Sequence, residues 1–89
     1  MYAVGGLIMI DRIKGSKSVV GTKQTLKAVK NGRARTVYLA HDVDRHIFTE
    51  VEKVCEQNGV PIIYANTMEE LGKSFGINRK TASTALLKD

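Results

Sequence analysis

Apolar positions along the chain switch between two periods. Thr36-Val37-Tyr38-Leu39-Ala40 is β-branched and apolar without alternation, the pattern of a strand covered on both faces. Ile47, Val51, Val54 and Cys55 then recur at i, i+4, i+7 and i+8, which marks one face of an amphipathic helix running to about Asn58. Either Asp42 or Asp44 can cap its start, and Gly59 ends it. Val60 to Ala65 reads as a second buried strand, with Pro61 near its beginning, where a missing N–H is tolerated. Thr67 and Glu70 form a capping box that opens a short helix through Leu71, stopping near Gly76. Thr81 to Leu87, small and β-branched and then apolar, is the last strand. Upstream, Ser18-Val19-Val20 is a short strand candidate, preceded by one or two helical turns over Ile10–Lys17 with Ile10 and Ile13 inward. Met1 to Met9 contains Gly5-Gly6 and no clear period, and is read as a flexible extension. Strands alternating with helices imply an α/β fold: a three-layer α/β/α sandwich with a small four-stranded mixed sheet, formed by a single domain over residues 10–89.

Between the first two strands lies the stretch around which the chain is organised, Gly21 to Gly32. Thr22 is the expected N-cap. Asn31-Gly32 closes the helix, glycine being free to turn left-handed. Leu26, Ala28 and Val29 make the inner side. Lys23, Lys27 and Lys30, at i, i+4 and i+7, share the outer face. Like charges at that spacing repel, so the lysines do not serve the helix itself. A helix that opens with glycine, free N–H groups and lysine is a ready anion site. Gln24 adds an amide able to read a nucleobase edge, which a plain phosphate site does not need. The same pattern also suits a solvated surface helix.

Charge adds direction to that choice. The 89 residues carry a net charge of +5, distributed in blocks. From Arg12 to Arg35 there are eight basic residues and no acidic one. From Asp42 to Glu70 seven acids face two bases, Arg45 and Lys53. Lys73, Arg79, Lys80 and Lys88, against Asp89, make the end of the chain basic again. If the first and last thirds meet, they form a positive face with an acidic back, which is what binding to a phosphate backbone needs. A membrane partner is not expected, since no helix pairs a basic face with large exposed apolar residues and no apolar run reaches the length of a span. The single cysteine, Cys55, excludes an internal disulfide and fits a reducing, cytoplasmic compartment.

No catalytic constellation emerges. His41 and His46 are five apart across a loop, not on one helix face, so with Cys55 they show no metal spacing. His41-Asp42 has no nucleophile beside it. Gly21-Thr22-Lys23 lacks the upstream glycine and the Gly-Lys-Ser/Thr order of a P-loop. Neither cofactor nor metal is assigned. A second stretch does stand out: in Ile77-Asn78-Arg79-Lys80-Thr81, an apolar residue can pack on a base while Arg79 and Lys80 meet phosphates. A solvent-exposed connection has the same composition.

Four motifs in order carry a resemblance: Gly21 to Gly32, Leu39-Ala40-His41-Asp42-Val43-Asp44, Gly59-Val60-Pro61 and Leu71-Gly72-Lys73. Together they resemble the ribosomal protein "L seven Ae" family, and within the "L seven Ae"/"L thirty e" superfamily most closely the short bacterial YbxF-type members, over about Ile10 to Leu87. The resemblance implies the α/β/α fold and a non-enzymatic, ribosome-associated protein that binds kink-turn RNA, a helix–bulge–helix element with sheared G·A pairs. It implies that Gly21, Thr22, Lys23, Gln24 and Lys27 meet the RNA groove at those pairs; Lys30 joins the candidate contacts through the spacing of the lysines on the same helix face. It implies that Ile77, Asn78, Arg79, Lys80 and Thr81 cover the flipped bulge nucleotide, and that His41 and Asp42 lie in a further loop near the RNA. A monomer bound to ribosomal RNA or to a structured leader RNA is expected. The alternative is a protein–protein interaction module built on the same fold.

Overall fold

The computed structural model describes residues 17–88. The extension expected over residues 1–9, and the helical turns expected over Ile10–Lys17 apart from Lys17 itself, lie outside that range. The element order is β1 (Ser18–Val20), α1 (Thr22–Lys30), β2 (Ala34–Ala40), α2 (Arg45–Asn58), β3 (Ile62–Ala65), α3 (Met68–Ser74) and β4 (Ser83–Leu87). The four strands form one sheet in the order β1-β4-β2-β3. β4 runs antiparallel to both neighbours and β2 parallel to β3, so the sheet is mixed.

The unalternating run in β2 is explained by the two layers it separates. Val37 and Leu39 point into a core with Ala28 and Val29 of α1 and Val51, Val54 and Cys55 of α2. Tyr38 and Ala40 point the other way, into a core with Leu71 of α3, Ala65 and Leu86. Two helices thus cover one face and α3 the other, which is the expected sandwich. Tyr38 meets Phe75 edge-on at 5.3 Å, the geometry aromatic rings favour.

Element ends differ from the sequence reading in instructive ways. Thr22 is not the N-cap of α1. Gly21 takes that place with φ +102° and ψ +150°, a backbone region open essentially to glycine alone. Thr22 is the first helical residue, and its hydroxyl is hydrogen-bonded to that of Ser83 at 3.2 Å. Of the two candidate caps for α2, Asp44 serves, accepting from the His46 N–H at 3.2 Å. The capping box of α3 is half made: Thr67 accepts from the Glu70 N–H at 3.0 Å, whereas Oε1 of Glu70 is buried without a partner. β2 begins two residues before Thr36, and β3 and β4 each begin two residues after the expected Val60 and Thr81. In β2 the register against β4 slips between Ala34 and Thr36, so Arg35 is the extra residue of a bulge.

Candidate nucleic-acid interface

Topology brings the segments singled out in the sequence to one end of the sheet. β1 delivers the chain to Gly21, whose N–H donates to the Ser83 carbonyl at 2.9 Å at the start of β4. β2 finishes beside it, with the Ala40 N–H donating to the Ala82 carbonyl at 3.1 Å. The parallel strand β3 ends at the same level, where the His41 N–H meets the Ala65 carbonyl at 2.9 Å. The opening of α1, the 77–81 loop and the turn at His41-Asp42 therefore share one rim.

Along that rim α1 presents an uncompensated positive end. Its first intrahelical bond runs from the Thr25 N–H to the Gly21 carbonyl at 2.9 Å, which leaves the N–H groups of Thr22, Lys23 and Gln24 without an intrahelical acceptor. No acidic residue sits in its first turn. Lys23, Gln24, Lys27 and Lys30 are exposed, while Thr25, Ala28 and Val29 are buried. Lys27 and Lys30 occupy the last turn, where positive charge suits the helix dipole, so only Lys23 works against it. A Cβ added at Gly21 would meet nothing within 4 Å, so the helix start faces open space.

The 77–81 loop is held from below by α3. The Ile77 N–H donates to the Gly72 carbonyl at 2.8 Å, and the Thr81 N–H to the Met68 carbonyl at 3.0 Å. Thr81 is only 4% exposed, so it anchors the loop from inside. Asn78, Arg79 and Lys80 are exposed and Ile77 half-buried. With Glu69 and Lys73 they line a cleft of about 230 Å³. Lys73 pairs with Glu69 at 3.8 Å, both exposed, and Arg79 and Lys80 have no ion pair among the described residues.

Gly72 is the residue sequence reasoning missed. A Cβ there would stand 2.1 Å from the Arg79 carbonyl oxygen, so this glycine lets the loop backbone lie directly on α3. The available signal was a glycine inside a helix, a choice that costs about 1 kcal/mol against alanine unless packing demands it. Ser83, which ties Thr22 to β4, carried no such mark.

His41 and Asp42 are both exposed but differently engaged. Oδ1 of Asp42 accepts from the Met68 N–H at 2.8 Å, so Asp42 helps Thr67 cap α3. The His41 ring stacks at 5.1 Å on Tyr64 and 5.8 Å on Phe48. Tyr64 donates to Oε2 of Glu52 at 2.5 Å; desolvation first, then this bond, pushes its hydroxyl up to about 12. Burial likewise pushes the Cys55 thiol up to about 11, away from the reactive thiolate form. Among the described residues no three His, Cys, Asp or Glu side chains gather as a metal site, and no helix is long and apolar enough to cross a membrane.

Comparison with known proteins gives a consistent set of relatives. The model of the "Ribosomal protein L7Ae/L30e/S12e/Gadd45 family" matches residues 11–89. A protein of Caldanaerobacter subterraneus named an RNA-binding protein is 45% identical over 69 residues, 78% of this chain and 84% of that protein. RNA-binding protein YbxF of Geobacillus stearothermophilus is 36% identical over 76 residues, 85% of this chain and 93% of that protein. Among solved structures, the 15.5kD RNA binding protein of Giardia lamblia superposes with a TM-score of 0.80 at 25% identity, covering 90% of this chain and 68% of that one.

Proposed function

The chain belongs to the ribosomal protein L7Ae/L30e/S12e/Gadd45 family, and from that premise we propose that it is a non-enzymatic, ribosome-associated protein that recognises kink-turn RNA. The observation that carries the reading is the shared rim: the bare, positive start of α1 and the basic 77–81 loop are joined through Gly21 and Ser83 by a 2.9 Å backbone hydrogen bond. Relatives named RNA-binding proteins support the ligand class.

In this reading α1 enters the opened groove at the sheared G·A pairs. The free N–H groups of its first turn, with Lys23 and Lys27, take phosphates, which position the RNA without reading its sequence. Gln24, neutral and exposed, carries both a donor and an acceptor for a purine edge. The loop covers the bulge nucleotide, with Ile77 offering apolar surface and Arg79 and Lys80 charge. Asp42 contributes by capping α3, on which that loop rests. The protein works as a cytoplasmic monomer on ribosomal RNA or a structured leader RNA.

The test is an electrophoretic shift with a kink-turn and with a control lacking its G·A pairs, each at several salt concentrations. The kink-turn should bind markedly tighter throughout. Equal affinity for the two RNAs would leave only general electrostatic attraction and would sink the kink-turn reading.

A further inference from the structure

A second basic cluster lies at the opposite end of the sheet. There the Lys88 N–H donates to the Arg33 carbonyl at 2.8 Å, and the Leu87 N–H to the Lys17 carbonyl at 2.9 Å. These two bonds pin together three segments that are remote in sequence, and each brings a cation. The bulge adds Arg35, an exposed extra residue that a regular strand would not project in the same way. Lys30 ends α1 three residues before Arg33. All five side chains are exposed and none belongs to an ion pair with a described residue; in sequence one acid adjoins them, Asp89 after Lys88, against five cations. Arg33 and Lys88, with Gly32 and Leu87, line an open depression of about 320 Å³.

Such a cluster costs free energy through self-repulsion, so it points to an anionic ligand. The rim with Gly21 does not account for it. Gly21 is bonded at Ser83, which pairs with Leu39. Along the strands Arg35 lies four residue steps from Leu39 and Lys88 five from Ser83, roughly 13–17 Å at about 3.3 Å per residue. That exceeds the screening length of about 8 Å at physiological salt. Phosphates held at Gly21 therefore do not neutralise Arg33, Arg35 or Lys88. Lys27, exposed in the last turn of α1, lies between Lys23 and Lys30 and carries the basic surface from one end to the other.

We propose that Lys17, Lys30, Arg33, Arg35 and Lys88 form a second phosphate-binding surface, which takes the backbone of an RNA duplex stem extending beyond the kink-turn held at the Gly21 rim. This rests on the RNA-binding reading and adds a site to it. The contact is sequence-independent, since it offers charge and no base-reading group. It lengthens the footprint along α1 and makes affinity depend on how far the stem continues.

The experiment titrates the full chain with two kink-turn RNAs, one with minimal stems and one with a stem longer by a further duplex turn, and with a plain duplex. Wild type is compared with Arg33→Ala/Arg35→Ala/Lys88→Ala and with the charge-retaining Arg33→Lys/Arg35→Lys. Wild type should bind the long-stem RNA about tenfold tighter or more, with a steeper log–log salt dependence, by roughly 2–3 for about three added phosphate contacts. The triple variant should bind the minimal RNA within about twofold of wild type, which also shows that it is folded, and lose the long-stem gain. The lysine variant should keep that gain. A wild type indifferent to stem length, or a triple variant that gains as much as wild type, overturns the proposal. If the minimal RNA does not bind wild type, kink-turn recognition is what fails. The patch is then judged on the plain duplex, which should bind wild type more tightly and with a steeper salt dependence than the triple variant, and equal binding to both overturns it.

Discussion

Gly21 shows how much one residue can commit. Its φ of +102° with ψ of +150° is closed to other residues, so replacing it costs about 1–3 kcal/mol of backbone strain. Gly59, at φ +68°, bears a comparable strain far from the rim and serves as the control. Gly21→Ala and Gly59→Ala should both lower denaturant stability, and only the former should weaken RNA binding under conditions where each remains folded. Equal RNA affinity for the two variants would reduce Gly21 to a turn residue. Gln24 separates selectivity from charge. Losing a bidentate base contact costs on the order of 1–3 kcal/mol, so Gln24→Ala should lower kink-turn affinity about 5- to 150-fold and leave plain duplex binding unchanged. Parallel titrations in one buffer decide this; a common fall, or none, moves the specificity to the 77–81 loop. Cys55 titrates in the opposite sense to a switch. Its folded value of about 11 lies above the ordinary 9.0, so the folded state keeps the proton longer. Stability from this thiol is complete below pH 9 and declines from there toward pH 11. Cys55→Ala should flatten that part of the stability profile, measured by urea unfolding from pH 8 to 11.

At the scale of elements, α3 and the loop behind it form one unit through Gly72. An alanine Cβ would be driven into the Arg79 carbonyl, a backbone atom that cannot rotate away, so the loop must lift. Overpacking of this kind costs about 1–3 kcal/mol. Gly72→Ala should therefore lose stability, show amide shifts concentrated in residues 77–81, and bind the kink-turn more weakly at temperatures where it is folded. Wild-type affinity in a variant with a displaced loop would mean that recognition does not use the loop's placement. What the sequence disclosed follows the same division. Helix cores were legible because periodicity marks them: Val51, Val54 and Cys55 are all buried. Strand ends were not, because pairing sets them. β2 starts at Ala34 since β4 reaches Leu87 opposite it, and the bulge at Arg35 exists only in relation to that partner. The cap of α1 was misread because threonine is the better cap by composition, while the turn needed a positive φ that only Gly21 supplies. Helical spacing alone gives Lys23, Lys27 and Lys30 as exposed, and all three are. The meeting of the start of α1 with the 77–81 loop needed the β1–β4–β2 pairing, which no local pattern encodes.

The whole molecule is electrically polar, and that polarity can be separated from its net charge. Lys23, Lys27 and Lys30 run down α1 on one side, whereas Glu52 and Glu56 line an open cleft of about 360 Å³ between α2 and β3 on another. A ligand that responded only to the net charge of +5 would sense both sides. Lys27→Ala would lower that charge by one and weaken binding, and Glu56→Gln would raise it by one and strengthen binding comparably. A ligand seated on α1 behaves differently, because charges more than about 8 Å away through water are largely screened. Lys27→Ala should then reduce the slope of log affinity against log salt by roughly 0.7–0.9, the share of one phosphate contact. Glu56→Gln should leave both slope and affinity nearly unchanged. Both variants alter exposed side chains, so circular dichroism should match wild type and the comparison should rest on charge position alone. Titrations from about 50 to 200 mM salt resolve a slope change of that size, since a single contact alters affinity by roughly threefold over this range. Opposite shifts of similar size in the two variants would show that the protein attracts RNA through its overall field, and the placement of the lysines on α1 would then carry no recognition.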